Sequence, residues 1–478
     1  MRLSVFSGII VKENLRTIGR TDMKKRCEWN TKAKQRGSLA DDRGIVDLLH
    51  IRQHFFAGLT DSIAAMNDPR NESYITYTQN DLICMGLMKN LCGRKTMRSM
   101  DEQFNNENCI NTLREMSGNR HLREMPHRDT LNRYLSMLPA GELAGVRDGM
   151  LSKLLRRKSL AGARLFGRYW RIILDGTGLY CFRERHCEHC LTRKHAKADG
   201  TAETRYFHKV LEAKIVLGKN IIVSLDTEFI ENETAGVSKQ DCETAAAERL
   251  LKRLYQNHPK LPVCIQGDSL YASEKVMEFC RLRGWQYLFT HKEGRQPSLS
   301  ECYEFIRGGD ERNVVKRIGR EKGTGEYVNG VGETAGKKET ANIFEYRYEE
   351  RRKDGKRTEH RLMWVTNMEI TNRNLAELIE AGRGRWKIEN EGFNNQKNGI
   401  YDIEHANSRD GNAMKNHYLL TQIADMIMQF YLACNRQRKK GILSIKNTSS
   451  RLLESFRSHH ITDEDVLYIR RSTTVHLE

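Results

Sequence analysis

The sequence predicts an α/β protein in which a helical N-terminal part precedes a mixed β-sheet with a β-rich insertion. Three observations support this fold class. Apolar residues recur at helical spacing between residues 43 and 157. From about residue 160, short apolar runs bounded by turn residues predict three strands, a helix, a strand, a helix and a strand. Glycine-rich and strand-like segments between 291 and 370 then predict the insertion, and helical spacing resumes after residue 370.

The composition indicates a large protein with a polyanionic partner. Its 478 residues are enough for two to four domains of roughly 100–200 residues each. Lysine and arginine total 80 against 62 acidic residues, which gives a net charge of +18. This excess favours nucleic acid as the partner over an ordinary solvated surface. No apolar run approaches the ~18 residues of a membrane helix, and the 12 cysteines, spread without a disulfide framework, are typical of reduced thiols in a cytoplasmic protein.

The N-terminal half begins with a basic segment and continues with helices. Residues 1–40 hold ten basic and three acidic residues, a composition typical of arms that contact phosphates. Leu48, Ile51 and Phe55 follow at helical spacing. A later helix is predicted between Pro126 and Pro139, since prolines often bracket helices.

Two aspartates stand at the ends of predicted strands. Asp175 follows the apolar run 169–174, and Asp268 comes just after the run 261–266. In a sheet built in this order the first and fourth strands can lie side by side, which would bring both carboxylates within a few Å of each other. A divalent cation with oxygen ligands would relieve their repulsion. The alternative is a pair of ordinary turns, because Asp-Gly and Gly-Asp are turn signals.

A third candidate acid lies in the helix predicted for residues 383–398. At 100° per residue, one face of an α-helix there holds Arg385, Glu389, Phe393 and Gln396. The alternative is an ion pair between Arg385 and Glu389 on a solvated helix. Glu391 is a rival for the third acid, but it points to another side of the helix.

The local sequences of the three acids are Ile-Leu-Asp175-Gly-Thr, Gly-Asp268-Ser-Leu-Tyr and Arg-Trp-Lys-Ile-Glu389. In this order, with a β-rich insertion before the third, they resemble the DDE transposases of bacterial insertion sequences, especially the insertion-sequence-four group. The resemblance covers about residues 160–410. It implies an RNase H-like catalytic domain in which Asp175, Asp268 and Glu389 hold two Mg²⁺ or Mn²⁺ ions.

The resemblance also implies a function and its partners. We expect a DNA transposase that binds the ends of its insertion sequence, cleaves by two-metal phosphodiester hydrolysis and joins the 3′ ends to target DNA. The expected partner is double-stranded DNA, bound by a homodimer, in the bacterial cytoplasm at the nucleoid. The expected division is a basic arm (1–42), a helical DNA-binding domain (43–157), the first part of the core (160–290), the β-rich insertion (291–370), the catalytic Glu helix of the core (371–410) and a helical C-terminal region (411–478).

A signature of the group is matched only in part. It reads Tyr, two residues, Arg, three residues, Glu, six residues, Lys, and Arg385 and Glu389 fit it. Gly382 stands at the Tyr position and Gln396 at the Lys position, with Lys397 one residue later. This offset turns the lysine by about 100° on an α-helix, so its phosphate-binding role is open.

Further DNA contacts are expected from side chains near the acids. The candidates, which would pair with phosphates or stack on bases, are Arg385, Trp386, Tyr271 and Lys397. Packing in the protein interior is the alternative for Trp386 and Tyr271.

A separate motif offers metal ligands of another kind. Cys187 and Cys190 form a Cys-x₂-Cys pair, which suits tetrahedral zinc. The sequence shows no clean second pair, although Cys181, His195 or His208 could complete the site. The alternative is an exposed loop of reduced thiols.

Two other functions remain open on the sequence alone. One is a two-metal DNA nuclease of the same RNase H-like fold, which would cut without joining. The other is a catalytically inactive, DNA-binding descendant of a transposase. Retention of all three acids argues against the inactive descendant.

Overall fold

The computed structural model describes residues 43–197, 200–309, 313–318, 323–332, 340–351, 357–386, 388–438 and 444–471. The predicted basic arm lies outside this part. None of the helices within these ranges is both long and apolar enough to cross a membrane.

Between residues 43 and 163, all regular elements that the structure describes are helical. They are α1 (Gly44–Phe55), α2 (Leu59–Ala64), α3 (Gln79–Leu91), α4 (Met97–Phe104), α5 (Glu107–Ser117), α6 (Arg128–Met137) and α7 (Ala140–Leu155), with 3₁₀ turns at Glu72–Tyr74 and Lys158–Ala163. Local sequence sets the boundaries: the Thr78 hydroxyl accepts from the Asp81 N–H, and the Asp81 carboxylate accepts from the Thr78 N–H, so a capping box starts α3. The helical content predicted here is confirmed, including the helix between Pro126 and Pro139.

The sheet follows, with helices between its strands. The elements in chain order are β1 (Trp170–Phe182), β2 (Leu191–Ala196), β3 (Ala202–Gly218), β4 (Ile221–Ile230), α8 (Glu243–Asn257), β5 (Val263–Gly267), α9 (Glu274–Leu282) and β6 (Gln286–Thr290). The core strands stand in the order β4-β3-β1-β5-β6. β3 runs antiparallel to β1 and β4, while β1, β5 and β6 run parallel. This order and these directions form an RNase H-like mixed sheet, as predicted.

The β-rich insertion continues the same sheet. After α10 (Pro297–Gly308) come β7 (Asn313–Ile318), β8 (Gly323–Val331), β9 (Ala341–Arg351) and β10 (Arg357–Thr366). β10 pairs antiparallel with β6, and β9, β8 and β7 follow outward. The inserted strands therefore share backbone hydrogen bonds with the core.

The C-terminal elements return to the core sheet. They are α11 (Leu375–Arg383), two π-helical segments (Ile388–Phe393 and Asn395–Gly399), α12 (Gly411–Arg438), α13 (Ile445–Ser458) and α14 (Asp463–Arg470). α12 contacts α1, α3, α6 and α7 as well as β4, so it lies between the N-terminal helices and the sheet. Its residues Ile423 and Ile427 belong to one core with Leu82 of α3 and Val223 of β4.

A buried arginine ties the N-terminal helices to the sheet. Arg147 of α7 is 1% exposed and donates to the Thr227 hydroxyl at 2.8 Å and to the Asp226 carboxylate at 3.1 Å, both on β4. Arg253 of α8 donates to the other Asp226 oxygen at 2.8 Å. Buried charges are tolerated because each has a partner.

The structure corrects two details of the sequence prediction. β1 runs to residue 182, well beyond the predicted run 169–174, and pairs with a β3 that begins at residue 202. The single α-helix predicted for 383–398 is wrong: α11 ends at Arg383 and π-helical segments follow. Both differences arise from tertiary pairing and packing, which local periodicity does not report.

We expect Arg147→Met to lower the free energy of unfolding by about 3–5 kcal/mol, since methionine keeps much of the apolar stem but leaves a buried carboxylate with one partner fewer. Denaturant unfolding followed by circular dichroism measures this. Arg98→Met, at an exposed pair with Glu102 on α4, is the control and should cost under about 0.5 kcal/mol. Equal stability of the two variants would contradict the role of Arg147.

Candidate active site

Asp175 and Asp268 lie side by side at the carboxyl ends of two parallel strands. β1 and β5 pair in register, and their last paired residues are Ile173 and Gln266. Both aspartates follow two residues later, at the same level. Neighbouring strands lie about 4.8 Å apart, so the carboxylates are neighbours. The predicted adjacency of the first and fourth core strands is confirmed.

Asp175 is partly buried, and both positive and negative side chains lie near its carboxylate. Burial raises its pKa to about 6; Arg385 opposes this rise, whereas Glu243 and Asp268 add to it. The Arg385 guanidinium lies 3.9 Å from the carboxylate. The N–H of Gly176 donates to the other carboxylate oxygen at 3.0 Å. Burial is thus the main factor that disfavours the ionised form of Asp175, and a bound cation would favour that form.

Asp268 is held by the turn that follows β5. Its carboxylate accepts from the N–H of Leu270 at 2.8 Å, and its carbonyl accepts from the N–H of Tyr271 at 3.2 Å. These bonds fix the backbone at the strand end. The aspartate therefore stabilises the turn and is still partly exposed at the carboxyl end of the strand.

The segment that carries Glu389 packs on the Asp175 face of the sheet. Alternate strand residues share a face, so Asp175 lies on the same face as Ile173. Ile173 packs in one cluster with Ile388 and Phe393, which flank Glu389. Arg385, at the start of this segment, reaches Asp175 directly, and the Glu389 side chain is exposed.

The prediction that Glu389, Phe393 and Gln396 share one face of an α-helix is wrong. Phe393 and Gln396 are buried while Glu389 is exposed, because a π-helix has a wider turn than an α-helix. Gln396 donates to Asp425 at 2.9 Å and to Gln422 at 3.0 Å, both on α12. This buried amide fixes the segment against α12.

Lys397 lies in the second π-helical segment. It is partly exposed, and its ammonium lies 2.8 Å from the Glu404 carboxylate. A π-helical segment accommodates additional residues within a helix. The one-residue offset of Lys397 from the expected lysine position thus falls where the helix is widened.

The two predicted aromatic contacts have opposite environments. Trp386 is 53% exposed, with the Arg385 guanidinium 5.1 Å from its ring centroid. Tyr271 is 1% exposed, and its hydroxyl donates to Glu243. Tyr271 is thus packed in the protein interior, and a direct DNA contact would require its side chain to move.

Glu243 is a site residue that sequence reasoning missed. It opens α8, and its carboxylate lies against Gly176 from the sheet face opposite to Asp175: a Cβ at Gly176 would stand only 2.4 Å from it. Lys209 of β3 forms an ion pair with it. The one signal in the sequence, an acid in the first turn of a helix, is too common to identify a site.

The predicted zinc ligands lie elsewhere. Cys187 and Cys190 stand beyond the end of β1, beside His186 and His208. Along the strands, His208 is four residues from Glu212, the partner of Asp175. That is about 13 Å at roughly 3.3 Å per residue, so this cluster is separate from the carboxylates.

We expect Asp175→Asn to stabilise the protein above pH 6 when no divalent metal is added. A pKa of about 6 in the fold against 3.8 in the unfolded chain means that ionisation costs stability as the pH rises between these values. Asparagine removes this cost, at most about 3 kcal/mol at 1.36 kcal/mol per pKa unit.

Thermal unfolding between pH 4 and 8 measures the effect. The variant and the wild type should converge near pH 4 and diverge up to pH 6. Glu102→Gln, which removes an exposed charge on α4, should show no such divergence. A constant difference at every pH would count against the raised pKa.

Comparisons with known proteins identify the family of the chain. No curated protein matches the chain. Among solved structures, a cryo-EM structure of the piggyBac transposase synaptic complex with hairpin DNA aligns at a TM-score of 0.42 and 12% identity, over 89% of this chain and 81% of that one. The family described as "Transposase DDE domain" matches residues 167–426, more than half of the chain, including all three candidate acids. The chain therefore belongs to the DDE transposase family.

Proposed function

We propose that this transposase cleaves the ends of an insertion sequence and joins their 3′ ends to target DNA, with Asp175, Asp268 and Glu389 as its catalytic carboxylates. The observation that carries the proposal is the in-register placement of two aspartates at the carboxyl ends of adjacent parallel strands. The insertion-sequence-four resemblance and the bacterial origin belong to the same proposal.

The residues present suit a divalent cation. DDE transposases generally use divalent metal ions. Carboxylate oxygens are the ligands that Mg²⁺ and Mn²⁺ prefer, and Asp175 and Asp268 lie side by side at the ends of paired strands. A bound pair of such ions would activate water and stabilise the leaving oxygen of a phosphodiester.

The chain positions DNA by charge and by stacking. Arg385 lies beside Asp175, where its guanidinium can hold a phosphate next to the carboxylates. Trp386 offers an exposed ring next to it for base stacking. Lys397, at the widened part of the helix, is the candidate for a second phosphate contact, in exchange for its pair with Glu404.

Glu243 acts as a positioning residue. Its carboxylate lies behind Gly176 and is held by Lys209 and the Tyr271 hydroxyl. This arrangement fixes the strand end that carries Asp175 and contributes negative charge to it. The role requires glycine at position 176, because any Cβ there would overlap the carboxylate.

Replacing each catalytic acid by its amide should abolish cleavage and strand transfer. Asp175→Asn, Asp268→Asn and Glu389→Gln keep side-chain size but remove a negative ligand, so we expect losses of several orders of magnitude. The assay uses duplexes that carry the inverted repeats flanking the coding sequence, with Mg²⁺ and a supercoiled target plasmid. DNA binding should persist, because basic residues make the phosphate contacts.

Glu391→Gln tests the rival acid within the same segment and should remain active. If Glu391→Gln were inactive while Glu389→Gln cut normally, the third acid would be misassigned. Cutting of duplexes with and without the repeats at equal rates, and without joining, would instead indicate the nuclease. Wild-type protein that binds the repeats and never cuts them would indicate the inactive descendant.

Gly176→Ala should reduce cleavage by about tenfold or more, because the added methyl group forces Glu243 away from β1 and disturbs Asp175. The matched control is Gly178→Ala on the same strand, where a Cβ meets nothing within 4 Å. Initial cleavage rates and circular dichroism separate a local effect from unfolding. Equal activity of the two alanine variants would remove Glu243 from the site.

A further inference from the structure

Four side chains beyond the catalytic end of β1 form a compact ligand cluster. His186, Cys187 and Cys190 come from the loop between β1 and β2, and His208 comes from β3. One nitrogen or sulfur atom of each lies within 4.8 Å of the same atoms of the other three. Cys190 and His208 are buried, and the other two residues are partly buried.

The distances match the edges of a tetrahedron around one zinc ion. Zn–S bonds of about 2.3 Å and Zn–N bonds of about 2.0 Å give edges of about 3.8 Å for S–S, 3.5 Å for S–N and 3.3 Å for N–N. The two sulfurs lie 3.4 Å apart. They lie 3.4 and 3.6 Å from the His208 Nε2, which is 3.1 Å from the His186 Nε2. Each measured edge agrees to within about 0.4 Å.

The surrounding residues orient the ligands. The Glu231 carboxylate lies 3.8 Å from the His208 Nδ1 and 2.5 Å from the Lys415 ammonium. It therefore faces the ring nitrogen that the cluster does not use, the usual place for a carboxylate behind a metal-bound histidine. Asn232 holds the loop itself: its side-chain amide donates to the Cys190 carbonyl at 2.9 Å.

We propose that His186, Cys187, Cys190 and His208 bind one structural zinc ion. Two cysteines and two histidines in tetrahedral placement, without an open position, are typical of a structural zinc site. The ion would join the β1–β2 loop to β3 and so fix the base of the β2–β3 hairpin. Of the partners that the sequence suggested, His208 belongs to the cluster, whereas Cys181 and His195 are exposed side chains outside it.

A redox-active Cys-x₂-Cys pair is the competing explanation for the two thiols. It would need no histidine ligand, and in its oxidised form its sulfurs would be joined by a bond of about 2.05 Å. The 3.4 Å between the sulfurs fits a reduced pair as well as a metal site, so the approach of the His208 Nε2 to 3.4 and 3.6 Å from the two sulfurs is what favours the metal.

Zinc content of the full-length chain tests the proposal. Protein purified with a reductant and without chelator should contain one zinc per chain by elemental mass spectrometry. Cys187→Ser and Cys190→Ser should lose it, while Cys181→Ser should retain it. Asp175→Asn and Asp268→Asn should also retain it, since a zinc ion held at the carboxylates would be lost from them instead. Wild-type protein without zinc, or serine variants that keep it, would overturn the proposal.

Cobalt substitution on the wild type keeps the test decisive if the serine variants fail to fold. Exchange of the bound ion for Co²⁺ should give the visible bands of tetrahedral cobalt and a thiolate-to-cobalt charge-transfer band. Glu231→Gln should fold and bind zinc about 10–100-fold more weakly, as for other residues behind metal ligands. An octahedral cobalt spectrum, or a Cys187–Cys190 disulfide in freshly purified protein, would refute the site.

Discussion

The register between β1 and β5 is the constraint on which the rest of the site depends. Parallel pairing brings the ends of the two strands to one edge of the sheet, and the pair Ile173–Gln266 sets Asp175 and Asp268 at the same level. A shift of one residue would send one carboxylate to the opposite face. Both faces of β1 are buried here: Ile172 and Leu174 pack in the main core on one face, and Ile173 packs with Ile388 and Phe393 on the other. A shift would exchange the side chains of two differently shaped clusters, so close packing opposes it. The hydrophobic core thereby holds two like charges together.

Keeping these charges together requires compensation from the surrounding elements. Arg385 approaches Asp175 from the π-helical side, and Lys209 pairs with Glu243 behind the strand. The pKa of Asp175 stays raised, first because the side chain is partly buried and then because Glu243 and Asp268 lie near it. Two neighbouring carboxylates at a strand end suit cation binding better than a closed ion pair would.

Buried polar side chains orient the π-helical segment that carries Glu389. Lys214 of β3 is fully buried, and its ammonium lies 3.2 Å from the Gln422 side chain of α12. Gln422 and Asp425 in turn bind Gln396 of the second π-helical segment. Hydrogen bonds of this kind have directional requirements that apolar contacts lack, so they fix one arrangement of the segment that carries Glu389. The long helix α12 thus orients the segment of the site, although Gln422 and Asp425 are not themselves site residues.

The sequence by itself predicted the fold class, the adjacency of the first and fourth core strands and the placement of two aspartates at the ends of those strands. Each depends on local information: apolar runs, turn residues and their succession along the chain. Glu389, the candidate third acid, was proposed from its motif, but the helix around it was misjudged, because a π-helix forms in response to packing against β1 and α12. Glu243 was missed, since only the approach of α8 to Gly176 brings it to the strand end. The ligand set around Cys187 stayed open for the same reason: His208 is 18 residues from Cys190 and meets it only through strand pairing. Local chemistry sets which residues can bind or react, whereas contacts between distant parts of the chain decide which of them meet.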